Sequence, residues 1–303
     1  MELLPTDFVG RTMNLTISGF STALFSTWYF IDELGLLFDV GDGVSAHLLQ
    51  KARKIKHVFV SHADRDHVSG LLQFNQLNAR EGFPIIYYPK NSGSFPAMAD
   101  FSAQFDPHAS GTVWRPIAYD EIIFLQKDLS VQAIRNEHLP FPPNIVKSMS
   151  FHVRRHKRKL KKEFHGLQGS EIAKLRTERG DDFVTHEVVE NILSYSGDTP
   201  VVYDGRFENT HTLIHEATFL RIDETVIDKD RANKHSTLEG VLRMVKETKV
   251  QRLVLGHFSC RYSIEEIDAE IRCLVKSLGI TIPVYRVPPG VCVRDIISIP
   301  PIC

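Results

Sequence analysis

Apolar runs and short alternating stretches follow one another along the chain with polar turns between them, and their lengths predict strands interleaved with helices. MNLTISG, ALFSTWYFIDE and LGLLFDVG read as strands, Ser45 to Lys54 (SAHLLQKARK) as a short helix, and IKHVFV as the strand after it. Further strands are predicted at PIIYY, EIIFL, LSVQAI, NILSYS, TLIHE, RLVLGH and PVYRV. Two late helices carry start signals. Ser236-Thr-Leu-Glu239 and Ser263-Ile-Glu-Glu266 both have the S-x-x-E form, in which the serine caps the third helical N–H and the glutamate reaches back. After the second, Ile264, Ile267, Ile271, Leu274, Val275 and Leu278 form a stripe at helical spacing that serves as a core face. No repeat interrupts this succession, which predicts an α/β protein of sheets covered by helices. Its 303 residues are expected to form one domain, 1–303, with insertions.

Composition narrows the class. With 43% hydrophobic and 24% charged residues and a net charge of −1, the chain reads as an ordinary globular protein, so any nucleic-acid contact has to come from a local patch. One segment offers such a patch: RRHKRKLKK, Arg154 to Lys162, has seven basic residues and one histidine in nine positions. It reads either as a solvated face or as a phosphate-binding insertion around 152–165, with Arg154, Arg155, Lys157 and Arg158 as contacts. Cys260, Cys273, Cys292 and Cys303 lack CxxC spacing, so reduced and mostly buried thiols are expected. No apolar run approaches the ~20 residues of a membrane span, and MELLPTDFVGRTMNLT lacks a basic start followed by an apolar core. A cytoplasmic protein without membrane contact is the expectation.

The chemistry gathers at predicted strand ends. His62, Asp64, Asp66 and His67 follow IKHVFV, His138 follows LSVQAIRNE, Asp198 follows NILSYS and Gly197, and His257 follows RLVLG. In α/β folds ligands collect at the carboxyl ends of strands. Imidazole nitrogens and carboxylate oxygens bind borderline divalent ions, and a carboxylate can bridge two of them; Asp198 is the natural bridge. Two such ions make water acidic enough to attack phosphorus at neutral pH. His138 or His257 alone would be an ordinary hydrogen-bonded histidine, but four candidate donors between positions 62 and 67 favour a metal site. His47, His57, His108, His152, His156, His165, His186 and His211 have no such company and are expected to be structural or solvent-facing.

The stretch His62-Ala-Asp-Arg-Asp-His67 resembles the HxHxDH motif of the metallo-β-lactamase superfamily. Ser196-Gly-Asp-Thr199, His215-Glu-Ala-Thr218, His235-Ser-Thr237 and Gly256-His-Phe-Ser-Cys-Arg-Tyr262 resemble, in order, the SGDT, HEAT, HST and GHxSxRY motifs of its ribonuclease Z branch, the tRNA 3′-processing endonucleases. The resemblance implies an αββα four-layer sandwich, usually a homodimer, and two divalent metal ions, zinc in the family. Carried over, His62, Asp64 and His138 would hold one ion, Asp66, His67 and His257 the other, with Asp198 between them. Asp66 would also orient the nucleophilic water, and Glu216 with His235 would protonate the leaving ribose oxygen. Ser259, Arg261 and Tyr262 would contact phosphate and base. The substrate so implied is RNA, in the family the 3′ trailer of a tRNA precursor.

The chain departs from the pattern in three places. Asp64 replaces the motif's second histidine, adding a hard oxygen ligand that shifts preference toward manganese or iron and makes the bound water less acidic. The segment at 152–190, where the family inserts a tRNA-gripping arm, is short, although residues 166–184 resemble the family's segment after that arm. Ile17-Ser-Gly-Phe-Ser-Thr22 stands in place of a GTG-type start. Two alternatives therefore stand beside the endonuclease: a phosphodiesterase or esterase acting on small nucleotides or other small molecules, and a metal-poor RNA-binding pseudoenzyme.

Overall fold

The computed structural model describes residues 15–106, 109–221 and 234–303. The first half of the chain builds one sheet from β1 (Ile17–Thr22), β2 (Ser26–Ile31), β3 (Leu36–Phe38), β4 (His57–Phe59), β5 (Ile85–Pro89) and β6 (Val113–Ile117), in that spatial order. Strands β1 to β3 are antiparallel and β3 to β6 parallel, with α1 (Val44–Leu48), α2 (Arg65–Val68), α3 (Leu71–Asn78) and α4 (Ser94–Phe105) in the connections. The second half builds a seven-stranded sheet from β7 (Ile122–Gln126), β8 (Leu129–Arg135), β9 (Met149–Leu160), β10 (Thr185–Tyr195), β11 (Thr212–Glu216), β12 (Leu253–Gly256) and β13 (Val284–Arg286). Between β9 and β10 lie α5 (Gly169–Arg179) and α6 (Asp181–Val184), while α7 (Leu238–Glu247) and α8 (Ile264–Leu278) cross between the parallel strands β11, β12 and β13.

Strand alternation sorts the apolar side chains into three cores. From β2, Tyr29 and Ile31 face inward to meet Phe38, Phe59, Val131, Phe151, Leu193, Ile214 and Val254 of both sheets. Trp28 and Phe30 face outward under α1, α3 and α4, against Val44, Leu71, Phe74 and Phe95. Leu213, Leu253 and Leu255 meet Val241 and Leu242 of α7 and Ile267 and Ile271 of α8. The layers therefore run helix, sheet, sheet, helix. Because β2 is covered on both faces, its Trp28 to Ile31 reads as an unbroken apolar run.

All the predicted strands form, with shifted bounds: β10 starts six residues before NILSYS, and the first strand starts only at Ile17, Leu15 and Thr16 being outside it and Met13 and Asn14 outside the described residues. The Ser45–Lys54 helix is α-helical only to Leu48 and continues as a 3-10 turn from Leu49 to Lys54. The Ser263 capping box is present, but the cap of α7 is Thr237, whose hydroxyl accepts from Gly240 N at 3.1 Å. Ser236 instead donates to the Thr199 carbonyl at 2.6 Å, so its assignment as the cap is corrected. The cysteines are free, and three of the four are exposed, which corrects the expectation of burial.

The sequence pattern missed β6 and β9. Strand β9 is the basic run itself: it starts buried at Met149 to Val153 and then pairs with β10 as a partly exposed ribbon, Arg155 opposite Glu190 and Lys159 opposite His186.

Candidate metal centre

The parallel strands β4, β11 and β12 end at one edge, and the antiparallel β8 and β10 deliver their carboxyl ends to the same place. Beyond β4 the chain runs extended through Ser61 to Asp64 and then enters α2, whose first turn presents Asp66 and His67. Gly70 lets this segment pass against the loop that follows β3: a Cβ there would overlap the carbonyl of Gly41. Gly256 plays the same part before His257, where a Cβ would strike the Tyr29 hydroxyl.

Seven side chains converge. Donor atoms of Asp66, His67, Asp198 and His257 all lie within 4.8 Å of one another, as do those of His62, His138 and Asp198. Asp198 Oδ2 is 3.7 Å from His62 Nε2 and 3.3 Å from both His67 Nε2 and His257 Nε2. Asp64 Oδ2 borders the first group, 3.6 Å from His62 Nε2 and 3.5 Å from His138 Nε2.

The hydrogen bonds behind the histidines fix which nitrogen faces inward. His67 Nδ1 donates to Asp39 Oδ2 at 2.7 Å, and His138 Nδ1 donates to the Lys234 carbonyl at 2.9 Å. His62 Nδ1 lies 2.9 Å from Ser61 Oγ, whose own proton goes to Asp39, so the serine oxygen accepts from the ring. His257 Nδ1 likewise donates at 2.9 Å to Thr218 Oγ1, which gives its proton to Glu216. Each ring thus carries its proton on Nδ1 and turns the Nε2 lone pair toward the centre, the arrangement that makes imidazole a metal ligand.

The residues fit divalent cations. His62 Nε2 and His138 Nε2 are buried without a hydrogen-bond partner, and 3.5 to 3.6 Å to Asp64 is too long for one. Burial would raise the carboxyls of Asp66 and Asp198, but the surrounding imidazoles hold both below the usual range; His138 and His62 do the same for Asp64. Burial would depress His67, yet Asp198, Asp39 and Asp66 outweigh it and raise the ring well above its ordinary value. Three carboxylates packed among histidines demand positive charge, and a proton on His67 and a cation compete to supply it.

Beside the cluster, His235 Nδ1 donates to Glu216 Oε1 at 3.1 Å. Glu216 also accepts from Thr199 N, Thr218 N and Thr218 Oγ1. Burial would raise its carboxyl, but His235, aided by His257, outweighs that and holds it below its ordinary value. The His235 ring stacks on His257, centroids 5.5 Å apart. Arg261 stands one ring further out, its guanidinium over Phe219 and Tyr262 at 5.4 and 5.8 Å, with Nε donating to Ser259 Oγ at 3.1 Å.

The basic run lies elsewhere. Arg154 to Arg158 sit where β9 runs away from this edge, and carboxylates and an amide already face them. Arg154 donates to Asn191, Lys157 to Glu190 at 2.5 Å, and Arg158 to Asp182, while Arg155 is 4.0 Å from Asp128.

Sequence reasoning missed Asp39, Ser61, Thr218 and Tyr195. Asp39 is buried and accepts from Ser61 N, Ser61 Oγ, His67 and the Tyr195 hydroxyl. An aspartate at the end of the apolar run in FDVGDG was its one local signal.

No protein-family model matches the chain. It is 24% identical over 266 residues to tRNase Z TRZ1 of Arabidopsis thaliana, covering 85% of this chain and 90% of that protein. It is 28% identical over 260 residues to the ribonuclease Z of Methanocaldococcus jannaschii, covering 76% and 78%. Among solved structures, the metallo-β-lactamase fold protein YhfI of Bacillus subtilis superposes with a TM-score of 0.61 at 17% identity, over 92% of this chain and 99% of the other. The two-sheet sandwich is that fold.

Proposed function

We propose that the chain, which has the metallo-β-lactamase fold and is similar in sequence to ribonucleases Z, is a dinuclear endoribonuclease that cuts RNA to leave a 3′ hydroxyl, with the 3′ trailer of a tRNA precursor as substrate. The observation that carries this reading is the common orientation of four histidines, each held at Nδ1 so that Nε2 meets the shared carboxylate Asp198.

His62, Asp64, His138 and Asp198 would hold one divalent ion, and Asp66, His67, His257 and Asp198 the other. Such a pair supplies Lewis-acid charge beside the phosphate and makes water a competent nucleophile. Zinc is the family's choice; the extra carboxylate of Asp64 favours manganese or iron. Asp66 orients the attacking water. His235 gives a proton from Nε2 to the ribose 3′ oxygen as the P–O3′ bond breaks, and Glu216 holds the ring's other proton and stabilises its charged form. Arg261 and Ser259 bind a neighbouring phosphate, and Tyr262 is placed for a base contact. A homodimer, by analogy with the family, completes the proposal; among the described residues no helix is long and apolar enough to cross a membrane.

Protein purified without chelator and offered a tRNA precursor with a 3′ trailer tests this. Close to two equivalents of transition metal and cleavage at the trailer junction are expected. Fewer than one equivalent, together with RNA binding but no cleavage, would replace the endonuclease with an RNA-binding pseudoenzyme. Cleavage of small phosphodiesters alone would move the substrate class.

A further inference from the structure

At the lip of the metal centre the hairpin between β1 and β2 turns through Ala23, Leu24 and Phe25 and leaves two large apolar side chains in solvent, Leu24 79% and Phe25 61% exposed. The turn is not loose. Leu24 N donates to Asp66 Oδ2 at 3.0 Å, Ala23 N to the Phe258 carbonyl at 3.2 Å and Phe25 N to the Thr22 carbonyl at 3.1 Å, while Gly290 N donates to Thr22 Oγ1 at 2.9 Å. Leu24 has φ of 71°, the left-handed region that three-residue hairpin turns usually give to glycine. A leucine held there, its side chain packed on little, is backbone strain at a functional edge, and the bond to Asp66 is what holds it. A rigid apolar prong thus stands beside the loop that carries Asp66 and is tied to it.

We infer that Leu24 and Phe25 form a platform for the base of the first trailer nucleotide, Phe25 stacking on its face and Leu24 packing its edge. This rests on the endoribonuclease reading and names how that site seats its substrate. The side of the cut follows from the neighbours: His235 serves the leaving 3′ oxygen, whereas the prong is tied to Asp66, on the side of the attacking water. An RNA base suits the surface because stacking needs no charge, and the charged ribbon is already occupied by its own carboxylates. Stacking on one aromatic face accepts any base, so the platform selects for a base rather than for a particular one.

The test pairs the parent with Phe25→Ala, Leu24→Gly and Phe25→Trp, on trailer-bearing RNAs that are intact, abasic at the first trailer nucleotide, or abasic at the last nucleotide before the cut. The parent is expected to lose about tenfold in kcat/KM, mostly through KM, on the first abasic RNA, the order of one lost stack. Phe25→Ala should be about tenfold weaker on the intact RNA and indifferent to that abasic site, and Phe25→Trp should restore the discrimination. The loss should not change with salt, unlike one from phosphate contacts. Thermal unfolding and metal content report whether a variant is merely damaged; Leu24→Gly, which suits the turn's φ, guards against misfolding. If the parent cleaves RNA and the abasic penalty persists in Phe25→Ala, the platform is wrong while the endonuclease stands. If the parent cleaves no RNA, both fall.

Discussion

The candidate metal centre and the basic ribbon are both crowded with charge, yet they are built in opposite ways. At the centre, buried imidazoles and carboxylates face one another at 3.3 to 3.7 Å, and each is fixed from behind by a further group: Asp39 behind His67, Ser61 behind His62, Thr218 behind His257. Along the ribbon, Lys157, Lys159 and Arg158 pair with Glu190, Asp181 and Asp182 at the surface, where water and salt screen them. Charged side chains are thus decisive in one place and replaceable in the other. Burial makes the difference, because an unpaired charge costs several kcal/mol only where water cannot solvate it.

The largest effect is expected at Asp66→Ala, which in the proposed mechanism removes a ligand and the group that orients water. Cleavage should fall at least about a thousandfold in single-turnover assays with the fold intact by circular dichroism; a rate equal to the parent's would end the catalytic reading. Next comes Asp39→Ala, which leaves His67 Nδ1, the Tyr195 hydroxyl and Ser61 without their acceptor. Metal affinity should weaken about 10- to 100-fold and stability fall by about 3 kcal/mol, read by metal titration and urea unfolding. Unchanged affinity would show that the groups behind the ligands do not orient them.

His152 sharpens the contrast within β9, since it lies on the buried start of the strand whose end is the ribbon. Burial, aided by Arg154, depresses its pKa to about 4. Below its ordinary value of 6.5 the unfolded chain takes up a proton that the folded one refuses. Stability should therefore fall by about 3 kcal/mol as pH drops from 6.5 toward 4, and His152→Gln should flatten much of that slope. His57, also depressed to about 4 by burial, accounts for part of the remaining slope. A slope unaltered in the variant would place the linkage elsewhere. The smallest effect belongs to Lys157→Gln: under about 1 kcal/mol in chemical denaturation, and for RNA binding a salt slope lower by at most about one contact. A larger loss of stability would mean that the ribbon is not merely a solvated ion-paired surface.

Much of this protein could be read along the chain. The strand ends named all seven of the side chains that converge, because four of them fall within residues 62–67 and the other three each follow a predicted strand, and the apolar runs of β2, β8 and β11 marked the sheets. Strand β9 escaped because seven basic residues in nine hide a strand whose outer half is partly exposed on both faces. The cap of α7 shifted by one residue because Ser236 found a partner in Thr199, far off in sequence. The sequence by itself determined which donors exist and which strand ends they follow. Only the tertiary structure decided which nitrogen each histidine turns inward, that Asp39 stands behind His67 and Thr218 behind His257, and that Leu24 is hung from Asp66. Those choices depend on hydrogen bonds between residues 28, 39 and 42 positions apart, which each sheet brings together within its own half, while His257 meets Asp66 across 191 positions and Tyr195 meets Asp39 across 156 only when both sheets have closed on their core.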